Sequence, residues 1–152
     1  TPFSLPIPNI LCQTFRMKRI LAPILLLTLL FPSLAYGVTL ADLVVRDGLH
    51  YKQFSDVPFT GKITGRMQTT FKNGKKDGPL FHYWHNGQLW NKGTYKDGQE
   101  DGPWVTYYID GQVEKKGTYK DGRREGPWVS YDKDGTVNGE YTGTFEDGKK
   151  VK

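Results

Sequence analysis

From residue 57 onward, apolar and polar residues alternate along the chain. Val57, Phe59 and Ile63 fall on one side of an extended segment, while Thr60 and Lys62 fall on the other. Successive side chains of a strand point to opposite faces of a sheet, so this alternation predicts a strand. No window after residue 45 shows the 3.6-residue apolar period of a helix. We therefore predict an all-β, antiparallel domain.

The strand pattern recurs with a period of 24 residues, marked by Gly-Pro pairs that begin at Gly78, Gly102 and Gly126. Each unit contains two strands and two Asn-Gly or Asp-Gly dipeptides, which tolerate the positive φ of hairpin turns. A fixed period of this size predicts one supersecondary unit stacked on its copies, and so an elongated single-layer sheet of β-hairpins. The predicted segments are a lead-in at 38–56, a partial unit at 57–77, and units at 78–101, 102–125 and 126–152.

The last unit is two residues longer than the others, because Tyr119 and Phe145 are separated by 26 residues. One inserted residue would turn every later side chain to the opposite face of the sheet, whereas two residues preserve the face. We therefore predict that Phe145 keeps the orientation of its counterparts in the earlier units.

The assignment of side chains to the two faces depends on the short turn at Asp110-Gly111. A three-residue turn groups the repeated apolar positions on one face: Val105, Tyr107, Val113, Gly117 and Tyr119. A two-residue turn instead places Trp104 opposite Gly117 and Tyr108 opposite Val113. We favour the first arrangement because it collects the apolar positions on one side. In both arrangements Trp104 and Tyr107 point to opposite faces.

Residues 1–37 have the pattern of a targeting segment. Met17-Lys18-Arg19 is a short basic start, an apolar run follows over residues 20–31, and small residues then suit cleavage after Ala35 or Gly37. The apolar run is shorter than the ~20 residues of a spanning helix, and Pro23 and Pro32 interrupt it. We interpret residues 1–16 as an upstream extension with Met17 as the initiator, and we expect export to the periplasm or cell envelope.

Removal of this segment changes the charge of the protein. The whole chain of 152 residues has a formal net charge of +5, but residues 38–152 carry 18 basic and 16 acidic residues. This balance leaves no electrostatic footprint for nucleic acid. Cys12 is the one cysteine and precedes the apolar run. The exported domain therefore has no disulfide and depends on repetition and aromatic packing for its stability.

Candidate catalytic and metal-binding residues are few. His82 and His85 are three residues apart, so a strand would place their rings on opposite faces. Asp132 begins a segment similar to a calcium loop, but Val137 stands at the position that requires glycine and Gly143 at that of the chelating acid. No nucleophile motif accompanies the three histidines. We therefore predict no enzymatic activity, no metal and no cofactor.

Five aromatic residues are the candidates for contact with a ligand or partner: Trp84, Trp90, Trp104, Tyr108 and Trp128. An exposed ladder of flat rings binds sugars, peptides or choline-like cations. The alternative is that the rings pack on neighbouring hairpins and glycines, and for stacked repeats we favour this structural role.

The recurring motif Gly-Thr-Tyr-Lys-Asp-Gly-x-x-x-Gly-Pro-Trp-Val-x-Tyr resembles the MORN-repeat variant of bacterial proteins, a group often described as YwqK-type antitoxins of toxin–antitoxin systems. Residues 43–52 and 57–62 are also similar to the usual opening of that group. The resemblance covers about residues 43–152. It implies a twisted single-layer sheet of hairpins, no catalysis, and function through contacts with a partner.

These observations lead to three functional hypotheses. The first is an exported, non-enzymatic MORN-type scaffold that binds a protein partner, which the antitoxin resemblance would make a toxin. The second is a module that binds cell-wall glycan through its aromatic repeats, since Trp-x-x-Tyr-Tyr-x-Asp-Gly is similar to the shorter repeats of choline- and glucan-binding proteins. The third is association with membrane lipid. Nucleic acid is not expected as a partner.

Overall fold

The computed structural model describes residues 37–152; the predicted signal segment up to residue 36 lies outside the described part. Described residues form a short 3-10 helix, Leu40–Asp42, and thirteen β-strands. The strands are β1 (Leu43–Arg46), β2 (Leu49–Lys52), β3 (Gly61–Ile63), β4 (Met67–Lys72), β5 (Lys75–Lys76), β6 (Gly78–Tyr83), β7 (Leu89–Lys96), β8 (Gln99–Glu100), β9 (Gly102–Tyr107), β10 (Val113–Lys120), β11 (Arg123–Ser130), β12 (Gly143–Glu146) and β13 (Lys149–Lys150).

The strands form a small sheet of β1 and β2 and a second sheet of eleven strands. The main path of the larger sheet follows chain order from β3 to β13, with β5 paired to β4 and β8 paired to β7. Every strand pair is antiparallel. The first and last strands of the path do not pair, so the sheet is open. The predicted all-β antiparallel sheet of hairpins is confirmed.

The lead-in segment folds as a further hairpin against the first unit. The His50 amide donates to the Gly74 carbonyl at 2.9 Å, and the Phe59 amide donates to the His50 carbonyl at 2.8 Å. Phe59, Ile63 and Phe71 form a buried cluster against which Val38 and Leu43 pack. Val57 was predicted to share the side of Phe59 and Ile63, but it precedes β3 and is exposed.

Two-residue turns connect the units, and each consists of Asn-Gly or Asp-Gly with positive φ at both residues. Asp97 has φ 49° and Gly98 has φ 92°, and the same pair of signs recurs at Asp121-Gly122. This conformation matches the right-handed twist of the flanking strands. The glycine amides also bond the preceding unit: Gly98 donates to Lys76 at 2.8 Å and Gly122 to Glu100 at 2.9 Å. The turns therefore stack on one another at the repeat spacing.

Three-residue turns close the hairpin inside each unit. The Gly111 amide donates to the Tyr108 carbonyl at 2.9 Å, and the Tyr108 amide donates to the Gln112 carbonyl at 2.8 Å. The carboxylate of Asp110 accepts a further bond from the Gln112 amide at 3.0 Å. The turn length that we favoured from the sequence is therefore correct, and it sets Tyr107 opposite Val113.

The face assignment that we derived from this turn is wrong beyond Val113. The register shifts by one residue between Val113 and Lys115, and from there Trp104 pairs with Gly117. A β-bulge of one residue reverses the faces of every later side chain, so Gly117 shares the face of Trp104, not that of Val105. Trp104 is buried, whereas Tyr107 on the other face is half-buried. Their predicted opposition is confirmed.

The main core lies on one face of the sheet, which we call the aromatic face. A row of cross-strand partners there alternates large side chains with glycine: Leu80, Gly93, Trp104, Gly117, Trp128 and Gly143. The Trp104 ring meets Tyr95 and Tyr119 edge to face, with centroids 5.7 and 5.5 Å apart. Trp128 is 1% exposed and contacts Tyr119 in the same way at 4.9 Å. Aromatic rings of successive units thus interlock along the sheet.

The longer last unit keeps this arrangement. Trp128 pairs with Gly143 and Phe145 with Gly126, as Trp104 pairs with Gly117 and Tyr119 with Gly102. The extra residues lie in the segment before β12, where Asn138 donates its amide to the Ser130 carbonyl at 2.9 Å. The prediction that an insertion of two residues preserves the face is confirmed.

We predict that Gly117→Ala destabilises the protein by about 1–3 kcal/mol, because the added methyl group would overlap the indole ring of Trp128 in a filled core. Gly139→Ala is the matched control, since nothing lies within 4 Å of its added methyl group. Neither glycine has a positive φ, so alanine can adopt the native backbone conformation at both positions. Both changes restrict the unfolded chain alike. Urea unfolding measures the two free energies, and equal values for the two variants would contradict the packing account.

Candidate functional site

Four of the five candidate aromatic residues line one groove on the aromatic face, beside the three-residue turns: Trp84, Trp90, Trp104 and Tyr108. The polar residues of the same groove include Asn91, Thr106, Glu114 and Lys115. We call this site the aromatic groove. Trp90 and Glu114 are the residues at which the register shifts in two successive hairpins. The bulges therefore add residues to the groove that strict alternation would place elsewhere.

Trp84 and Trp90 form the half-buried aromatic end of the groove. Their ring centroids are 5.0 Å apart with an interplanar angle of 38°, and His82 lies 4.6 Å from Trp90 on the other side. The indole nitrogen of Trp84 donates to the Tyr107 carbonyl at 3.3 Å. Burial lowers the pKa of His82, helped by the charges of Lys76 and Arg66, so this ring stacks as a neutral imidazole at pH 7.

Tyr108 occupies the position of Trp84 in the next unit and makes the equivalent bond. Its hydroxyl donates to the Tyr131 carbonyl at 2.8 Å, which ties one unit to its successor. Loss of hydration raises the pKa of Tyr108, and the carboxylate of Glu114 acts in the same direction. The hydroxyl therefore stays protonated and able to donate. One edge of each of these rings supports the stack of units, and the remainder lines the groove.

Trp104 and Trp128 have little surface left for a ligand. Trp104 is 8% exposed and Trp128 is 1% exposed. The Trp128 indole nitrogen donates to the Thr118 carbonyl at 3.0 Å, and its ring covers Gly117 as Trp104 covers Gly93. Packing accounts for the burial of both residues, and Trp128 is the one candidate that does not line the aromatic groove.

One polar atom in the groove could not be found from the sequence. Asn91 Oδ1 is buried, and no described residue donates a hydrogen bond to it. A buried acceptor without a donor is costly, and a ligand that supplies a hydroxyl or amide would relieve this cost. The sequence gives no sign of it, because the alternation pattern does not show which asparagine lines the groove with its oxygen buried.

The opposite face of the sheet, which we call the lysine face, carries a second regular pattern. One row of cross-strand partners contains Phe81, Lys92, Val105, Lys116 and Val129 in order. Phe81 is 40% exposed, the two valines are half-buried, and both lysines are exposed. The row was missed from the sequence because the favoured face assignment placed Val105 in the core.

Each lysine of this row lies beside a tyrosine at the end of the next strand. Lys92 Nζ is 6.0 Å from the ring centroid of Tyr107, and Lys116 Nζ is 6.0 Å from that of Tyr131. Between residues 37 and 152 the ion pairs are Arg46–Asp56 and Arg123–Asp147, so neither lysine of the row is in one. The lysine face therefore combines apolar side chains with uncompensated positive charge.

The histidines and aspartates that we considered as metal ligands do not assemble into a site. His82 lies at the aromatic groove, whereas His85 is exposed beyond the end of β6. Asp134 accepts bonds from the amide and hydroxyl of Thr136, which lower its pKa and confirm a turn. Within the described residues, no three His, Cys, Asp or Glu side chains come close enough to hold a metal ion. None of the helices in this part of the chain is long and apolar enough to cross a membrane.

Part of the repeat array matches a known protein family. The family model of the MORN repeat variant matches residues 76–97 and residues 100–121, two segments that start 24 residues apart. No curated protein matches the chain. The first segment runs from the end of β5 through β7, and the second from the end of β8 through β10 and its turn. Two adjacent hairpin units of this chain thus match the family model of the MORN repeat variant.

Proposed function

We propose that this protein is an exported, non-enzymatic repeat scaffold that binds a protein partner through its lysine face. The observation that carries the proposal is the row in which Phe81, Val105 and Val129 alternate with Lys92 and Lys116. Apolar side chains give binding energy to an interface, and the charges between them select the partner. MORN repeats are non-enzymatic repeat modules, which agrees with a function based on contacts.

The size of this face suits a protein more than a small ligand. Five adjacent strands cover about 19 Å between the first and the last, since neighbouring strands are about 4.8 Å apart. Tyr107 and Tyr131 add half-buried aromatic surface beside the row, and tyrosine is enriched in protein interfaces. The resemblance to YwqK-type antitoxins makes a small toxin the first partner to test.

Export is supported by the targeting pattern of residues 17–37 in the sequence. The Val38 carbonyl accepts a bond from the Thr64 amide at 2.7 Å, and the Val38 side chain packs on the cluster of Phe59, Ile63 and Phe71. Cleavage after Gly37 would leave both contacts intact.

We predict that N-terminal sequencing of the protein recovered from the cell envelope gives a first residue of Tyr36 or Val38. Signal peptidase requires small residues before the cleaved bond, and Ala35 and Gly37 provide them. Recovery of a chain that begins before residue 30 would refute cleavage, and recovery in the cytosol alone would refute export.

We predict that a photo-reactive benzophenone amino acid at Val105 captures a protein partner in living cells. The same group at Trp84 in the aromatic groove and at Thr136 in an exposed turn provides the comparison. Mass spectrometry identifies the products, and one small protein captured from position 105, absent from position 136, is the expected result. Capture from none of the three positions would contradict the scaffold function.

A second candidate function is binding of cell-wall glycan in the aromatic groove. The observation that favours it is the grouping of Trp84, Trp90 and Tyr108 around the unpaired Asn91 Oδ1, since sugars combine apolar ring faces with hydroxyl donors.

Membrane association would instead appear as flotation with anionic liposomes that is lost at high salt.

If glycan binding is the function, the protein sediments with purified cell wall and Trp84→Ala abolishes sedimentation. Ile109→Ala is the control, because this side chain is 44% exposed and lies outside the groove. Trp104→Ala would not be informative, since the buried ring supports the fold. Equal sedimentation of both variants would exclude the groove as the glycan site.

A further inference from the structure

We infer that the partner presents an acidic amphipathic helix, which lies across the strands of the lysine face. The inference rests on the proposed function and names the partner's binding element by its chemistry. It starts from the alternation of apolar and basic residues along the row of Phe81, Lys92, Val105, Lys116 and Val129.

The spacing of the row matches a helix. Lys92 and Lys116 are two strands apart, which is about 9.6 Å, and Val105 and Val129 have the same separation. A helix rises 1.5 Å per residue, so positions seven residues apart on one face are about 10.5 Å apart. The mismatch of about 1 Å per heptad is within the reach of a flexible lysine. On such a helix, apolar residues recur every seven positions, and acidic residues recur every seven positions between them, three or four residues away. The apolar residues would then contact the apolar positions of the row, and the acidic residues would contact its lysines.

An extended peptide fits the row less well. Side chains on one face of a strand recur every two residues, which is about 6.7 Å, and this distance matches neither the 4.8 Å strand spacing nor its double. Strand addition also requires a free sheet edge, whereas the row crosses the middle of the face from β6 to β11. The direction and period of the row therefore favour a helix that packs on the face.

The charge of the row selects an acidic partner. Each lysine is exposed, and the aromatic ring beside it is a weaker partner than a carboxylate. The nearest acidic position of this face on the paired strands, Glu125, lies toward the two-residue turns and accepts a bond from the Asp147 amide at 3.2 Å. Carboxylates from a partner would thus be the first acids that the row lysines meet.

The test uses the purified protein and synthetic helical peptides of three heptads, labelled for fluorescence anisotropy. One peptide carries leucine and glutamate each at a seven-residue period, and the control has the same composition with these residues spread over all helix faces. We expect the periodic peptide to bind at least about tenfold more tightly, because it alone aligns apolar and acidic groups with the row.

Two charge-reversal variants locate the site. Lys92→Glu combined with Lys116→Glu is expected to weaken binding of the periodic peptide by about tenfold or more, whereas Lys75→Glu combined with Lys133→Glu leaves it within about twofold. All four lysines are exposed, and the two double variants have equal net charge. The two variants therefore differ only in whether the replaced lysines belong to the row. A periodic peptide with lysine for glutamate is expected to restore binding to the first double variant.

Equal affinity for the two peptides would overturn the inference. Equal weakening in the two double variants would overturn it too, because it would show attraction by net charge, as to an anionic membrane. Vesicles of phosphatidylserine and phosphatidylcholine provide the direct test of this attraction. If they bind the protein and both double variants lose vesicle binding equally, the lysines attract an anionic membrane. Capture of a partner from position 105, together with equal affinity for the two peptides, would uphold the scaffold function and refute the helical binding element. Capture from none of the three positions would refute the scaffold function itself.

Discussion

The packing of an indole ring on a glycine of the neighbouring strand is the contact on which this fold depends. Trp104 covers Gly93 and Trp128 covers Gly117, and no side chain larger than hydrogen fits beneath either ring. Each buried tryptophan removes roughly 150–250 Å² from water, which is worth about 4–6 kcal/mol at 25 cal/mol per Å². A single hairpin in water is marginal, so these rings make a stack of hairpins stable.

Cations lie over several rings of the same core. Each ring needs a neighbour from the next unit, and the last tryptophan has Phe145 and the Arg124 guanidinium, which lies 5.0 Å from the centroid of Trp128 and 5.1 Å from that of Phe145. Inside the sheet, Lys76 of β5 lies 4.7 Å from the ring centroid of Tyr95, and desolvation lowers the pKa of this lysine. Cations therefore cover aromatic rings both inside the sheet and in its last unit.

The bulge after the three-residue turn in two successive hairpins gives the two faces different chemistry. It places tryptophan above glycine on one face, and it leaves Val105 and Lys116 as neighbours on the other. It also brings Trp90 and Glu114 to the aromatic groove. One inserted residue in each of these two hairpins thus separates a face that holds the units together from a face available to a partner.

Local chemistry along the chain was enough to define the strands, the turns and the even insertion of the last unit. Asn-Gly and Asp-Gly pairs favour hairpin turns because glycine adopts positive φ without strain, and a two-residue insertion preserves the face of any strand. The chain pattern could not reveal the lysine row or the buried Asn91 Oδ1, because both depend on a register shift at Glu114 and Trp90. That shift has no local signal: it is favoured only when the ring of Trp104 or Trp128 finds a glycine on the neighbouring strand, and this contact exists only in the assembled sheet.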